Sequence, residues 1–331
     1  MKWFTMEFTA IFLSVFLLTV VAERLLIPVL RSHKMGQKIL DIGPRWHKSK
    51  EGTPTMGGIG FILAAMLVMA AFFIAKAVNG TSADYIPLAL TLAYAVANGA
   101  VGFVDDYFKL VVKKENEGLT AKQKLFLQLV LSGAYVCVMG YTGCMDTWLI
   151  LPFMGRPVDL GFWYYLLAVI VLTGVVNGGN ITDGIDGLAS AVTLVIGGFF
   201  AVWAFSVRSE QLSVTAAVLM GAALGFLVYN FHPARVFMGD TGSLFFGALV
   251  IGSAFMMKNP VVGLVASAVF IIEMLSSLLQ VLYFKATHGK RLFKMAPLHH
   301  HFEKCGWRER PIMVCFSLAA AVFCLLAWFL L

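Results

Sequence analysis

"AVANGAVGFVDDYFK", residues 95–109, joins two things that rarely meet in one short segment. From Ala95 to Val104 the side chains are small or apolar, with Asn98 the exception; then Asp105 and Asp106 stand side by side, with Lys109 following. The first part suits hydrocarbon. The second does not, because adjacent carboxylates at a lipid boundary repel each other and favour protonation unless a cation neutralises them. A plain alternative is a solvated helix end in which an acid pairs with Lys109 one turn away. An acid beside an acid at that depth points instead to a charged partner.

The rest of the chain supplies the membrane context. Of its 331 residues 60% are hydrophobic and 13% charged, with a mean hydropathy of +0.84. Soluble domains carry about 25% charged residues, and a hydrocarbon core of about 30 Å needs roughly 20 apolar residues per helix. Such runs recur at about 8–30, 57–78, 86–104, 124–141, 161–177, 188–206, 213–230, 243–257, 261–284 and 311–331. The expected fold is an all-α integral membrane protein of about ten transmembrane helices, with residues 1–331 as one multi-pass domain. The opening "MKWFTMEFTAIFLSVFLLTVVAERLL" has the charge pattern of a signal peptide but no clear small-x-small cleavage site, so it reads as a retained first helix. Five cysteines, without C-x-x-C or zinc spacing, read as small core residues.

The formal net charge is +7, and its placement decides its meaning. Nineteen lysines and arginines fall in alternate connections on one side; the other side keeps only Lys2, Lys76, Arg156, Arg208 and Lys258. The positive-inside rule puts the basic set in the cytoplasm and, for an even number of spans, both termini outside. No nucleic-acid reading module accompanies these loops, so a nucleic-acid partner is not expected. Three more acid-bearing or histidine-bearing stretches fall on the same side as Asp105 and Asp106: "NGGNITDGIDGLAS" (177–190), "NFHPARVFMGDTGSLFFG" (230–247) and "KMAPLHHHFEKCGW" (294–307).

Each has a modest reading. The first could be a glycine-rich turn capped by its Asn and Asp side chains; if helical, it places Asp183 and Asp186 on one face. Asp240 could simply cap a helix. Consecutive histidines cannot all point at one ion, which argues against a tight histidine-only zinc site. Capping explains one acid, however, and not acids in three separate loops on one side. An oxygen-only acidic set favours a hard cation, and Mg²⁺ characteristically bridges one or two carboxylates to substrate phosphates. Nearby lysines would neutralise the remaining phosphate charge.

The stretches "GTPTMGG" (52–58), "VDDYFK" (104–109), "GLTAKQK" (118–124), "NITDGIDGLA" (180–189), "FMGDTGSL" (237–244) and "PLHHHFE" (297–303) give the chain a specific likeness. It resembles the polyprenyl-phosphate N-acetylhexosamine-1-phosphate transferase superfamily, and within it the phospho-N-acetylmuramoyl-pentapeptide transferase family. The triple histidine is the most discriminating match, and Ile181 and Ile185, where leucine is common, are a small departure. The resemblance implies transfer of phospho-MurNAc-pentapeptide from UDP-MurNAc-pentapeptide to undecaprenyl phosphate with Mg²⁺, giving lipid I and UMP, in the bacterial cytoplasmic membrane and as a homodimer.

By the same resemblance Asp105 would deprotonate the lipid phosphate, Asp106 would support the metal and phosphate geometry, and Asp240 would be the principal Mg²⁺ ligand. His299 would belong to the catalytic centre, with His300 and His301 shaping the sugar-peptide side. Phe237 would stack on uracil and Gln280 would hydrogen-bond it, with Asn180, Asp183, Gly184 and Asp186 nearby. Lys50, Thr55 and Lys122 would line the polar approach. Two other readings remain open at this point: transfer of N-acetylglucosamine phosphate, and a secondary transporter, whose sites lie near the midplane rather than at one face.

Overall fold

The computed structural model describes residues 2–33, 36, 50–112, 118–151 and 156–331. Lys34, Lys38, Arg45, Lys48, Lys113 and Lys114, all counted on the basic side above, lie outside the described residues. The described chain is helical: α1 (Lys2–Ser32), α2 (Gly58–Val78), α3 (Ile86–Tyr107), α4 (Ala121–Tyr141), α5 (Phe162–Thr182), α6 (Leu188–Val207), α7 (Glu210–Asn230), α8 (Gly239–Met256), α9 (Pro260–Ala266), α10 (Ala268–Ala286), α11 (Leu298–Lys304) and α12 (Glu309–Trp328). Ten spans are long and apolar enough to cross a membrane. The chain is a multi-pass membrane protein.

Local chemistry explains several boundaries. α4 begins with a reciprocal capping box between Thr120 and Gln123. α9 opens with Pro260 behind an Asn259 cap. The expected single span at 261–284 is in fact two helices, α9 and α10, parted at Ser267, whose backbone (φ −91°, ψ 16°) leaves the helical region. α5 runs to Thr182, further than its apolar run, so that Asn177 and Asn180 are helical. Residues 183–187 then turn, which removes the expected shared helix face for Asp183 and Asp186.

α8 is the axis of the bundle, and every residue from Thr241 to Met256 is buried. Its neighbours approach through glycine. A methyl group at Gly102 of α3 would strike the Asp240 carbonyl, and one at Gly58 of α2 would strike the backbone of Gly242. One at Gly247 would lie 2.9 Å from the Val176 Cα of α5. Between helices in lipid, where hydrophobic attraction is weak, such close backbone contact supplies the packing energy. Hydroxyl pairs add cross-links: Tyr94 to Ser132 at 3.0 Å, Thr173 to Ser132 at 3.0 Å, and Thr91 to Tyr135 at 3.0 Å, tying α3, α4 and α5.

The cysteines depart from expectation. Only Cys324 is buried; Cys137 and Cys315 lie on exposed faces of α4 and α12, and Cys305 follows α11. In a membrane span an apolar thiol is as well accommodated facing lipid as facing protein, so hydropathy could not tell the two apart.

Helices that alternate in direction bring the ends of α3, α5, α7 and α10 to the same end of the bundle as the starts of α4, α6, α8 and α12. The four polar stretches therefore meet. The opposite end holds the connection between α4 and α5, with a two-residue antiparallel pairing of Trp148 with Asp159 and Leu149 with Val158.

Candidate functional site

The last turn of α3 and the first turn of α8 form the centre. Asp106 turns back under α8: its Oδ2 accepts from the Thr241 amide (3.0 Å) and hydroxyl (2.7 Å), and its Oδ1 from the Asp240 amide (3.2 Å). It thus satisfies the orphan donors of a buried helix start, where a negative charge is also favoured by the helix dipole. Asp105 faces the other way. Its Oδ1 accepts from the Leu119 amide at 2.7 Å and its Oδ2 from Lys109 Nζ at 2.8 Å.

Asp240 completes the group. Its Oδ1 accepts from Asn180 Nδ2 (2.8 Å); its Oδ2 accepts from Lys109 Nζ (2.9 Å) and Lys124 Nζ (2.8 Å). Lys124 also reaches the Asn180 oxygen at 2.9 Å and stands 3.7 Å from Asp105. Burial pushes the Asp183 carboxyl well above the usual carboxylate range; Asp240, Asp106 and Asp186 push the same way, and Lys50 opposes them. Asp105 and Asp240 pair with Lys109 and Lys124, and the Asp106 and Asp183 carboxyls stand within the electrostatic reach of Asp240. An oxygen-rich donor set of this kind fits a hard divalent cation.

A second group lies beside it. Lys50 Nζ bridges Asp186 Oδ1 and Glu309 Oε2, each at 2.6 Å. Asp186 Oδ2 meets His232 Nδ1 at 2.8 Å and the Ala234 amide at 3.0 Å. Asp186, His232 and Glu309 are close enough to share an ion, their ligand atoms lying within 4.8 Å of one another. Lys50 already supplies a cation between the two acids. Its ammonium is 6.0 Å from the centroid of the half-buried Phe237 ring. Phe237 is fixed by a ladder from its amide to the Pro54 carbonyl (2.8 Å) and from the Gly57 amide to its own carbonyl (2.9 Å). Thr55 lies next to this ladder, its Oγ1 against Gly239.

The three histidines diverge on α11. His299 is buried and bonded to Glu273 of α10; His300 Nδ1 pairs with Glu303 Oε2 at 2.6 Å; His301 Nδ1 accepts the Lys294 amide at 3.1 Å. A methyl group at Gly184 would strike the His299 ring, which ties α11 to the turn after α5. Gln280 uses its amide on the loop before α11, accepting from Leu292 and Phe293 and donating to the Phe293 carbonyl at 3.2 Å.

One family of predicted positions shifts. Lys122 is exposed and bonds to no described residue, whereas Lys124 enters the acidic centre. Helical period explains the exchange: Lys124 lines up with Gln128, Ser132, Tyr135 and Met139 of the buried face, and Lys122 lies about 200° away around the helix. That signal was present in the sequence. Glu309, His232 and Glu273 carried no comparable local signal, since each gains its importance from a partner 26 or more residues away.

Residues 87–258 match the model of "Glycosyl transferase family 4". The chain is 40% identical over 315 residues to a phospho-N-acetylmuramoyl-pentapeptide-transferase of Halalkalibacterium halodurans, covering 95% of this chain and 94% of that one. It is 41% identical over 326 residues to the protein of that name from Acetivibrio thermocellus, covering 97% and 94%. The chain belongs to the phospho-N-acetylmuramoyl-pentapeptide-transferase family. A relative from Caldicellulosiruptor bescii, 41% identical over 312 residues, covers 94% of this chain and 93% of its own. For a phospho-N-acetylmuramoyl-pentapeptide-transferase-family protein, the convergence of acids, lysines and an aromatic ring at one bundle end is the part of the fold that could carry phosphoryl chemistry.

Proposed function

We propose that this chain transfers phospho-MurNAc-pentapeptide from UDP-MurNAc-pentapeptide to undecaprenyl phosphate at the cytoplasmic face of a bacterial cell membrane. The observation that carries the reading is the gathering of the Asp105, Asp106 and Asp183 carboxyls around Asp240, with Lys109 and Lys124 both aimed at Asp240 Oδ2. Phosphoryl transfer asks a protein mainly for positioning and charge stabilisation, and this set offers both. The lipid phosphate rides at headgroup depth, so a site at helix ends lets the isoprenoid stay in the bilayer. In the reaction an oxygen of undecaprenyl phosphate bonds to the sugar-bearing phosphorus, and the bond from that phosphorus to the bridging oxygen breaks, releasing UMP.

Mg²⁺ would be held by Asp240, with Asp105 and the Asn180 amide oxygen beside it. Bound there, it would neutralise phosphate charge and polarise the transferred group. Asp240 is preferred to the Asp186–His232–Glu309 group because the Asp105, Asp106 and Asp183 carboxyls and the Asn180 amide all converge on it. Asp105 accepts the proton of the lipid phosphate. Asp106 holds the start of α8 in place through Thr241, and so sets the direction of Asp240.

Lys109 and Lys124 move from the carboxylates to the diphosphate as substrate enters. Phe237 offers a ring to the uracil, and Lys50 and Thr55 line its approach. Asn180 and Gly184 flank the diphosphate; His300 and His301 border the sugar-peptide side. The reading places both termini outside and, on family likeness, two such chains in one assembly.

The test is UMP release from UDP-MurNAc-pentapeptide by the purified protein, with and without undecaprenyl phosphate and Mg²⁺. Release should require all three components. Equal release from UDP-N-acetylglucosamine would overturn the choice of donor, and substrate translocation without UMP would overturn the reaction class.

A further inference from the structure

Glu273 belongs to none of the polar stretches that identify the site, yet it is fully buried in the middle of α10. Its carboxylate makes two bonds, both to one residue. Oε2 meets His299 Nδ1 at 2.7 Å, and Oε1 accepts the His299 amide at 3.2 Å. Backbone and ring are therefore gripped by the same group. His299 is itself completely buried, and its Nε2 has no hydrogen-bond partner among the described residues. That nitrogen faces Gly184, where any side chain would collide with the ring. Gly184 follows Asp183, whose carboxyl feels Asp240 and Asp106. The ring thus has a carboxylate behind it, and an unpartnered nitrogen in front directed at the turn beside the acidic centre.

A buried polar atom without a partner calls for an explanation, and an intramembrane acid is rarely structural filler. The carboxylate on Nδ1 selects the tautomer with the proton on that nitrogen, which turns Nε2 toward the open side. With the carboxylate behind the ring, a proton placed on Nε2 makes that nitrogen a donor toward an arriving anion.

We infer that Glu273 is the positioning residue of His299, keeping Nδ1 protonated and Nε2 presented past Gly184 to an anionic group of the substrate. This rests on the transferase reading above. Glu273 touches no reacting atom and acts only through the ring. Beside His299 stands His300, edge-on at 4.2 Å between centroids and bonded to Glu303 on α11, and Asp183 precedes the Gly184 that meets the ring. Phe302 of α11 meets Phe316 of α12 edge-on.

The decisive variant is Glu273→Gln, which keeps the size and an acceptor oxygen but removes the charge. Turnover should fall about 10- to 100-fold, the usual cost of losing a partner that orients a functional histidine, with the KM for the nucleotide sugar changed less than about threefold. In the His299→Asn background, Glu273→Gln should cost little further turnover, because the carboxylate acts only through the ring. Glu273→Asp should recover part of the turnover. Wild-type turnover in Glu273→Gln, or additive losses in the double variant, would reduce Glu273 to a space-filling role and overturn the inference.

A second measurement depends neither on activity nor on a Glu273 variant that folds. The ¹⁵N signals of His299 in the wild-type protein, assigned by their loss in His299→Asn, should show Nδ1 protonated; a proton on Nε2 alone overturns the positioning role. Absence of UMP release from the wild-type protein would instead overturn the transferase reading, and the tautomer would then decide this inference by itself.

Discussion

The two ends of the bundle both gather charge, and they handle it differently. At the end opposite the acidic centre, Lys76 of α2 joins Glu7 of α1 at 3.0 Å and Glu210 of α7. The Phe72 and Tyr85 rings lie 5.0 and 4.9 Å from its ammonium. One cation is boxed by two acids and two rings, and the group ties three helices together. At the acidic end, Asp105 and Asp240 share Lys109 and Lys124, and Lys109 remains 42% exposed. A closed charge cluster serves the fold. One whose lysine stays open to solvent is suited to a charged partner.

The contrast is broken most directly at Asp240. Asp240→Asn keeps the hydrogen bond from Asn180 within reach of an amide oxygen but removes a hard-cation ligand. Turnover should fall on the order of 10³-fold, about 4 kcal/mol of transition-state stabilisation, with the detergent-solubilised protein still folded by size-exclusion and melting. Near-normal turnover at ordinary Mg²⁺ would take Asp240 out of the centre.

The next effect separates two lysines on one helix. Lys124→Ala should lower kcat about 10- to 100-fold, while Lys122→Ala should change it less than about threefold, since an exposed lysine with no partner among the described residues contributes little. Equal losses in the two variants would contradict the helical phase on which the difference depends.

At the other end, Lys76→Met should leave turnover unchanged and cost about 1–2 kcal/mol of stability, from the lost cation–π contacts and the two glutamates left facing each other. Melting temperature reads the loss. A fall in turnover with unaltered melting would mean that the two ends are not separate in function.

The smallest effect is one of pH. Asp183 titrates above its unfolded value of about 3.9, so the unfolded chain gives up its proton first as pH rises. Stability is intact below the unfolded value, declines as pH climbs toward the folded one, and stays reduced above it. Asp183→Asn removes that decline. Without divalent cation, the variant should melt higher than the wild type near neutral pH and at the same temperature near pH 4. Identical melting curves at both pH values would remove Asp183 from the acidic centre.

Much of this was legible before any fold was known. Ten apolar runs gave ten spans because backbone groups in hydrocarbon must pair within their own helix, which leaves the chain few alternatives. The acids at Asp105, Asp183 and Asp240 stood out because charge is costly beside lipid. Helix breaks were less legible: α9 and α10 part at Ser267 inside one apolar run, and α5 continues past the end of another. Hydropathy records what a segment can be dissolved in, and not where its backbone bends.

The sequence by itself therefore determined a membrane-spanning helical chain with acids gathered at one end of its spans. Which partners those acids have was decided only in three dimensions. Asp105 and Asp106 are neighbours in sequence, yet one faces Lys109 and the other caps α8, because successive side chains on a helix point about 100° apart. Lys124 rather than Lys122, Glu309 beside Lys50, and Glu273 behind His299 all follow from which helix faces meet. Those faces meet where glycine lets backbones close, as at Gly102 and Gly58 against α8. Composition sets the cost of a charge in a membrane; packing decides which charges share it.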